Sequence, residues 1–311
     1  MYVSGNMVQI GLWDNCCNNC QFCLLKSKNN ETPDGMIKQI RDVQKNLDYI
    51  DWKEEFSAGI SLLGGELYFV TDPRVQEAYL DLIDDIIEKV LKVSNNPCCR
   101  YSTVTNGLYD PSFLFKVIDK IVEKVGIGFV DVNFSYDLKY RFTTEERRKL
   151  CLDNINKFHD RYNYKVGIQM ILTQYLIDMV KNKEFGVNDF IEKEAPGNML
   201  CFLYPHKVRT GKVLNDFFFK RKDFLWFMDY LKHENLFSYR SFIESTRNSS
   251  TFKWTGLYDK GGDYTQKPIL TGDKEVINTN CGHSILYQCY SDSDKCMLCD
   301  INNMADAVFE D

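Results

Sequence analysis

Between residues 7 and 204 six short apolar runs alternate with five amphipathic stretches, and a chain with that rhythm has few folds open to it. Apolar runs bounded by Gly, Pro, Asn or Asp predict strands over 7–13, 58–63, 101–105, 129–135, 165–172 and 199–204. Between them apolar residues recur at helical spacing. Met36, Ile37, Ile40, Val43 and Leu47 follow Thr32-Pro33-Asp34, and Val75, Tyr79, Leu82, Ile83, Ile86, Ile87 and Val90 follow Asp72-Pro73. Both starts pair a capping side chain with proline at the first helical position. Further helices are predicted over 111–125, 145–162 and 174–185. Such alternation builds a parallel sheet from right-handed βαβ units, whose ligands gather at the C-terminal ends of the strands. Those ends are where the chemistry is to be sought.

The first strand delivers DNCCNNCQFC, residues 14–23, with Cys16, Cys20 and Cys23 at C-x3-C-x2-C spacing. Three thiolates on one loop can hold three irons of a [4Fe–4S] cube, and the fourth iron then stays open to another ligand. Cys17 leaves two alternatives: a Cys17, Cys20, Cys23 set, or a quartet that closes the cluster. A zinc knuckle is the third, since tetrahedral zinc takes four thiolates at similar spacings. The N-terminus MYVSGNMVQI has neither the basic nor the apolar segment of an export signal, and no stretch is apolar enough to span a bilayer, so the expected location is the cytoplasm. There, twelve cysteines speak for ligation rather than for disulfides. Cys98, Cys99, Cys151 and Cys201 stand outside the two clusters and read as small buried hydrophobes.

At 311 residues, 44% of them hydrophobic and 26% charged, the chain suits one large α/β domain with a smaller appendage. A net charge of −6 offers no global attraction to phosphate, which speaks against an extended nucleic-acid surface.

The cysteine loop, with the aromatic Phe22 directly before its last cysteine, resembles that of the radical S-adenosylmethionine (radical SAM) enzymes. The resemblance implies a partial (β/α)6, TIM-like barrel. It also implies a [4Fe–4S] cluster whose open iron is chelated by the amino and carboxylate groups of SAM, and reductive cleavage of SAM to a 5′-deoxyadenosyl radical that takes hydrogen from a substrate. Further motifs fall in the family's order at later strand ends. Gly64-Gly65-Glu66 ends the second strand where the family has a GGE motif holding the SAM amino group, and glycines there let backbone approach a ligand closely. Asn106, in Thr105-Asn106-Gly107, resembles a TNG element near SAM. Ser135 and Asp137 resemble the element that hydrogen-bonds the SAM ribose and methionine groups. Arg147 or Arg148 falls where relatives place an arginine near the SAM carboxylate, although Glu145, Glu146, Arg147 and Arg148 also read as the charged face of a surface helix. Gln169, Thr173 and His206 lie where relatives face adenine or substrate.

Residues 213–240 read as an aromatic-rich helix and 241–274 as a polar loop. Beyond them Cys281, Cys289, Cys296 and Cys299 stand at C-x7-C-x6-C-x2-C spacing. Four thiolates suit a second [4Fe–4S] cluster or one zinc ion. The stretch resembles a reduced SPASM or twitch extension, without the seven cysteines of a full SPASM domain. The expected organisation is a partial barrel over 1–215 and, over 216–311, a helix, a polar loop and the cysteine-bound extension. By the same resemblance the substrate is a peptide or protein, with a nucleoside or nucleic-acid base as the alternative, and a reductant such as flavodoxin or ferredoxin supplies the electron. A closed iron–sulfur or zinc scaffold without SAM chemistry is the reading from a different class.

Overall fold

The computed structural model describes residues 7–23, 31–48, 52, 59–97, 99–203, 216, 217, 219, 221–234, 254–257 and 278–279. Six strands come in chain order: β1 (Met7–Gly11), β2 (Gly59–Leu63), β3 (Arg100–Thr105), β4 (Val130–Tyr136), β5 (Gly167–Ile171) and β6 (Met199–Leu203). Each is parallel to the next, so neighbours in sequence are neighbours in the sheet. Right-handed crossovers between strands in this order put every helix on the same side. The opposite side is then the concave one, and all six C-terminal ends open at one rim.

The intervening helices are α1 (Pro33–Leu47), α2 (Pro73–Ile86), α3 (Ser112–Val125), α4 (Glu145–Tyr162), α5 (Gln174–Lys181) and α6 (Val187–Asp189). Their starts are set by side chains. Thr32, Asp72, Thr144 and Thr173 accept from the amides of Gly35, Arg74, Arg147 and Leu176, and each such cap contributes about 1 kcal/mol. α2 runs on as a π-helical turn, Ile87–Leu91, and α4 stops at Asn163, which takes the left-handed conformation at φ 47°.

Strand periodicity sorts the two faces. In β4, Val130, Val132, Phe134 and Tyr136 are buried, while Asp131, Asn133 and Ser135 alternate with them on the other face. The main core lies between sheet and helices, with Ile60, Tyr101, Val132 and Phe134 against Ile40, Leu82, Ile118 and Phe158. The concave face is polar: Ser102 donates to Asp131 at 2.9 Å, and Asn133 does so at 3.2 Å. A smaller core of Phe22, Tyr140, Ile171 and Phe217 sits at the rim with Cys20 against it.

Two stretches differ from the sequence reading. The described part of 213–240 is helical only as α7 (Arg221–His233), with Asp216 at φ 59° and Phe217 and Phe219 buried ahead of the helix. Their aromatic rings fill rim and core from a non-helical segment, so apolar content was not helical periodicity there. Within the stretch read as a polar loop, Trp254–Leu257 forms β7, which pairs parallel with β1, and β8 (Asn278–Thr279) pairs antiparallel with β7. The sheet is thus continuous across residue 215. No helix among the described residues is long and apolar enough to cross a membrane.

Candidate functional site

The cysteine loop leaves β1 at the rim and is bound to the end of β2. The amide of Gly65 donates to the Trp13 carbonyl at 2.8 Å and that of Glu66 to the Asn15 carbonyl at 2.7 Å. A Cβ on Gly65 would lie 2.2 Å from the Asn15 oxygen and 2.4 Å from that of Asp14, and one on Gly64 would lie 2.6 Å from the Trp13 oxygen. The backbone that approaches these glycines is therefore that of the cysteine loop itself. Asn15 ties down the far side, with its side chain exchanging two 3.1 Å hydrogen bonds with the Glu31 backbone.

Cys16, Cys17, Cys20 and Cys23 are partly buried and form no disulfide. Asn106, at the end of β3, points Nδ2 at the sulfurs of Cys16 and Cys17, at 3.5 and 3.6 Å. Asn18 gives its amide to Cys16 Sγ at 3.4 Å and its Nδ2 to Cys20 Sγ at 3.2 Å. Nη1 of Arg141 lies 3.6 Å from the same Cys20 sulfur. A hydrogen bond with Cys16 holds the Cys17 thiol below its ordinary pKa against the opposing effect of burial. Cys17 also packs against the main core, whereas Cys20 packs against the rim core.

Glu66 is 1% exposed and does not face solvent. Its two oxygens accept from Thr105 Oγ1 at 2.9 Å and from the Asn106 amide at 2.6 Å, stapling the end of β2 to the end of β3. Burial pushes its pKa up to about 8, and Cys16 adds to the shift. Gly107 completes the turn at φ +64°.

Asp137 is buried, and its Oδ1 accepts from the amides of Lys139, Tyr140 and Arg141 at 2.9, 2.5 and 3.3 Å. It shapes the 138–141 loop that covers the cysteines; burial raises its pKa, with the Arg141 charge opposing. Ser135 is partly buried on the concave face and in register with Gln169. The two arginines separate clearly. Arg147 donates Nη2 to the Cys17 carbonyl and to Asn18 Oδ1, both at 3.1 Å, while Arg148 pairs with Glu145, Glu194 and the Tyr136 hydroxyl.

The structure thus brings Cys16, Cys20, Cys23, Gly64, Gly65, Glu66, Asn106, Asp137 and Arg147 to one rim. Asn18, Arg141 and Asn154 belong to it as well, and sequence reasoning missed them. Asn154, buried on α4, donates to the carbonyls of Gly107 and Tyr109, both at 2.9 Å. An asparagine on the otherwise apolar inner face of α4 was the available signal for it. Cys98, Cys281, Cys289, Cys296, Cys299 and His206 lie outside the described residues.

Among the described residues no three His, Cys, Asp or Glu side chains gather around a point where one metal ion would sit. A single tetrahedral zinc would draw its sulfurs within about 4 Å of one another. In a four-iron cube each thiolate takes a different iron, so the sulfurs need not converge, and the loop's three soft donors, with N–H groups on the Cys16 and Cys20 sulfurs, fit such a cluster.

No protein-family model matches the chain, and no curated protein does. Solved structures do. Native anSMEcpe with bound AdoMet is 17% identical at a TM-score of 0.44, over 73% of this chain and 60% of that one. A radical SAM methyltransferase from Sphaerobacter thermophilus is 14% identical at a TM-score of 0.48, over 84% of this chain and 68% of that one. The match therefore spans somewhat less than two thirds of the length of anSMEcpe.

Proposed function

We propose that this chain is a radical SAM enzyme. In this reading Cys16, Cys20 and Cys23 hold three irons of a [4Fe–4S] cluster and leave the fourth to the amino and carboxylate groups of SAM. When bound, the pair supplies a reductive cleavage of SAM to a 5′-deoxyadenosyl radical that abstracts hydrogen from substrate. The observation that carries the reading is the position of the loop that bears the three thiols: it lies at the C-terminal rim of a parallel sheet, its Trp13 and Asn15 carbonyls accept from the Gly65 and Glu66 amides at the end of β2, and its Cys16 sulfur accepts from Asn106 at the end of β3.

The chain's own residues then have distinct tasks. Gly64 and Gly65 admit the cysteine loop close to the sheet. Glu66 fixes Thr105 and Asn106, and Asn106 orients the first sulfur. Ser135, at the end of β4, is proposed to meet SAM from the concave face. Asp137 holds the covering loop, and Arg147 clamps the cysteine loop while standing near the expected place of the methionine carboxylate. Cys17, packed against the main core, is left out of the ligand set.

Beyond this rim the proposal extends to a second [4Fe–4S] cluster or a zinc ion on Cys281, Cys289, Cys296 and Cys299, a peptide or protein substrate, and a flavodoxin- or ferredoxin-type reductant in the cytoplasm. The test uses protein reconstituted without oxygen: iron and zinc are counted, SAM and dithionite are added, and 5′-deoxyadenosine is measured for wild type, Cys16→Ala and Cys17→Ala. Release that survives the loss of Cys17 and disappears with that of Cys16 is expected. Iron-loaded wild type that neither binds SAM nor releases 5′-deoxyadenosine sinks the proposal and favours a closed scaffold.

A further inference from the structure

The sulfurs of the cysteine loop have unequal surroundings. Cys16 Sγ receives neutral donors, the Asn18 amide at 3.4 Å and Asn106 Nδ2 at 3.5 Å. Cys20 Sγ receives Asn18 Nδ2 at 3.2 Å and, in addition, a cation, Nη1 of Arg141 at 3.6 Å. Arg141 is held there by three contacts. Its carbonyl accepts from Asn18 Nδ2 at 3.0 Å, its amide donates to Asp137 at 3.3 Å, and its guanidinium lies 5.0 Å from the centre of the Phe22 ring. Asn18, 4% exposed, is fixed in turn by Arg147 Nη2 on its Oδ1 at 3.1 Å. Asp137, Asn18, Arg147 and Phe22 thus hold one guanidinium and one amide against one sulfur.

We infer that Arg141 and Asn18 are positioning residues that raise the reduction potential of the cluster through its Cys20 corner, an inference that rests on the ligand set proposed above. Reduction brings one electron to the cluster with no bond made or broken, and so adds one negative charge. Hydrogen bonds to ligand sulfur and nearby positive charge stabilise the more negative state, and in a partly buried site they are weakly screened. An electron from a cellular reductant then reaches the cluster more readily, before any substrate is engaged.

The experiment uses the full chain carrying Ser at 281, 289, 296 and 299, so that only the N-terminal site gives a signal. Iron content and the midpoint potential are measured, the latter by a dithionite titration followed by electron paramagnetic resonance. Arg141→Met keeps the stem over Phe22 and loses the charge and the N–H. Asn18→Asp keeps the acceptor for Arg147, loses the donor to Cys20 and to the Arg141 carbonyl, and adds a negative charge that acts in the same direction. Each is expected to retain the wild-type iron and to shift the reduction equilibrium at least tenfold toward the oxidised cluster, which is about 59 mV for one electron. Arg148→Met, which removes an equal charge from a group engaged with Glu145, Glu194 and Tyr136, should leave the potential in place. An unchanged potential in an iron-loaded Arg141→Met or Asn18→Asp overturns the inference. So does loss of iron from both with the fold intact by circular dichroism, since their role is then assembly. Failure of the ligand reading looks different: no signal in this chain, or one that survives Cys20→Ser.

Discussion

The Glu66 amide donates to the Asn15 carbonyl at 2.7 Å, so the turn that ends β2 and the loop that carries the cysteines form one hydrogen-bonded unit. The side chain of Glu66 then joins that unit to β3 through Thr105 and Asn106. Three strand ends are tied through one residue. Changes far from any sulfur should therefore alter how the sulfurs are held.

Gly65→Ala tests the close approach. The added Cβ would fall 2.2 Å from the Asn15 oxygen, a backbone atom that cannot rotate away. The cost should be at the upper end of overpacking, about 3 kcal/mol, with iron uptake impaired. Gly128→Ala is the contrast, because a Cβ there meets nothing within 4 Å. It should be neutral or stabilising by up to about 1 kcal/mol. Thermal melts and iron counts of the two variants decide it.

Glu66 makes stability depend on pH in a direction opposite to that of most carboxylates. Its pKa in the fold is raised from 4.5 to about 8, chiefly by burial. Between those values the folded chain holds a proton that the unfolded chain has released, so stability falls as pH rises through that window, by up to about 1.4 kcal/mol per pH unit. Glu66→Gln matches the protonated form, with one acceptor for the Asn106 amide and one donor toward Thr105. It should flatten the slope and be the more stable protein at pH 8. Urea unfolding of both proteins at pH 5, 6.5 and 8 is the check, and equal slopes would refute it.

Asn154 holds the turn after β3 by donating to the carbonyls of Gly107 and Tyr109. Asn154→Ala leaves two buried acceptors unmatched, at about 1–3 kcal/mol each. Asn154→Asp should cost more, because it turns a carboxylate toward two carbonyl oxygens in a dry site. An aspartate variant as stable as the alanine variant in urea would contradict this account of the turn.

What could be read in the sequence, and what could not, divides by distance along the chain. Cys16, Cys20, Cys23 and Gly64-Gly65-Glu66 announce themselves because spacing and punctuation are local, and the β/α alternation that places them at one rim is local too. Helix starts at Thr32-Pro33 and Asp72-Pro73 were legible for the same reason. Arg141 was not: it reaches Cys20 across more than a hundred residues, and no local pattern records such a meeting, just as none told that Arg147, named beside Arg148, would reach the Cys17 carbonyl. Nor was the close approach at Gly64-Gly65 of the carbonyls of 13–15, which comes from a loop some fifty residues away. β7 escaped notice because four residues, Trp254–Leu257, are too few to show a period beside β1.

Arg147 and Arg148 are adjacent on α4, and their replacement should have different consequences. Nη2 of Arg147 serves the Cys17 carbonyl and Asn18 Oδ1, so Arg147→Ala frees the side chain that itself donates to Cys20. Arg148 pairs with Glu145 and Glu194 on a partly exposed face, and such pairs contribute about 0–1 kcal/mol. After anaerobic reconstitution, Arg147→Ala should lose iron to a chelator several-fold faster than wild type, whereas Arg148→Ala should lose it at the wild-type rate. The visible absorbance of the cluster followed against time with excess chelator measures both. Equal rates for the two variants would mean that the cysteine loop keeps its shape without the clamp, and that the contacts of Gly65, Glu66 and Asn15 suffice to hold it.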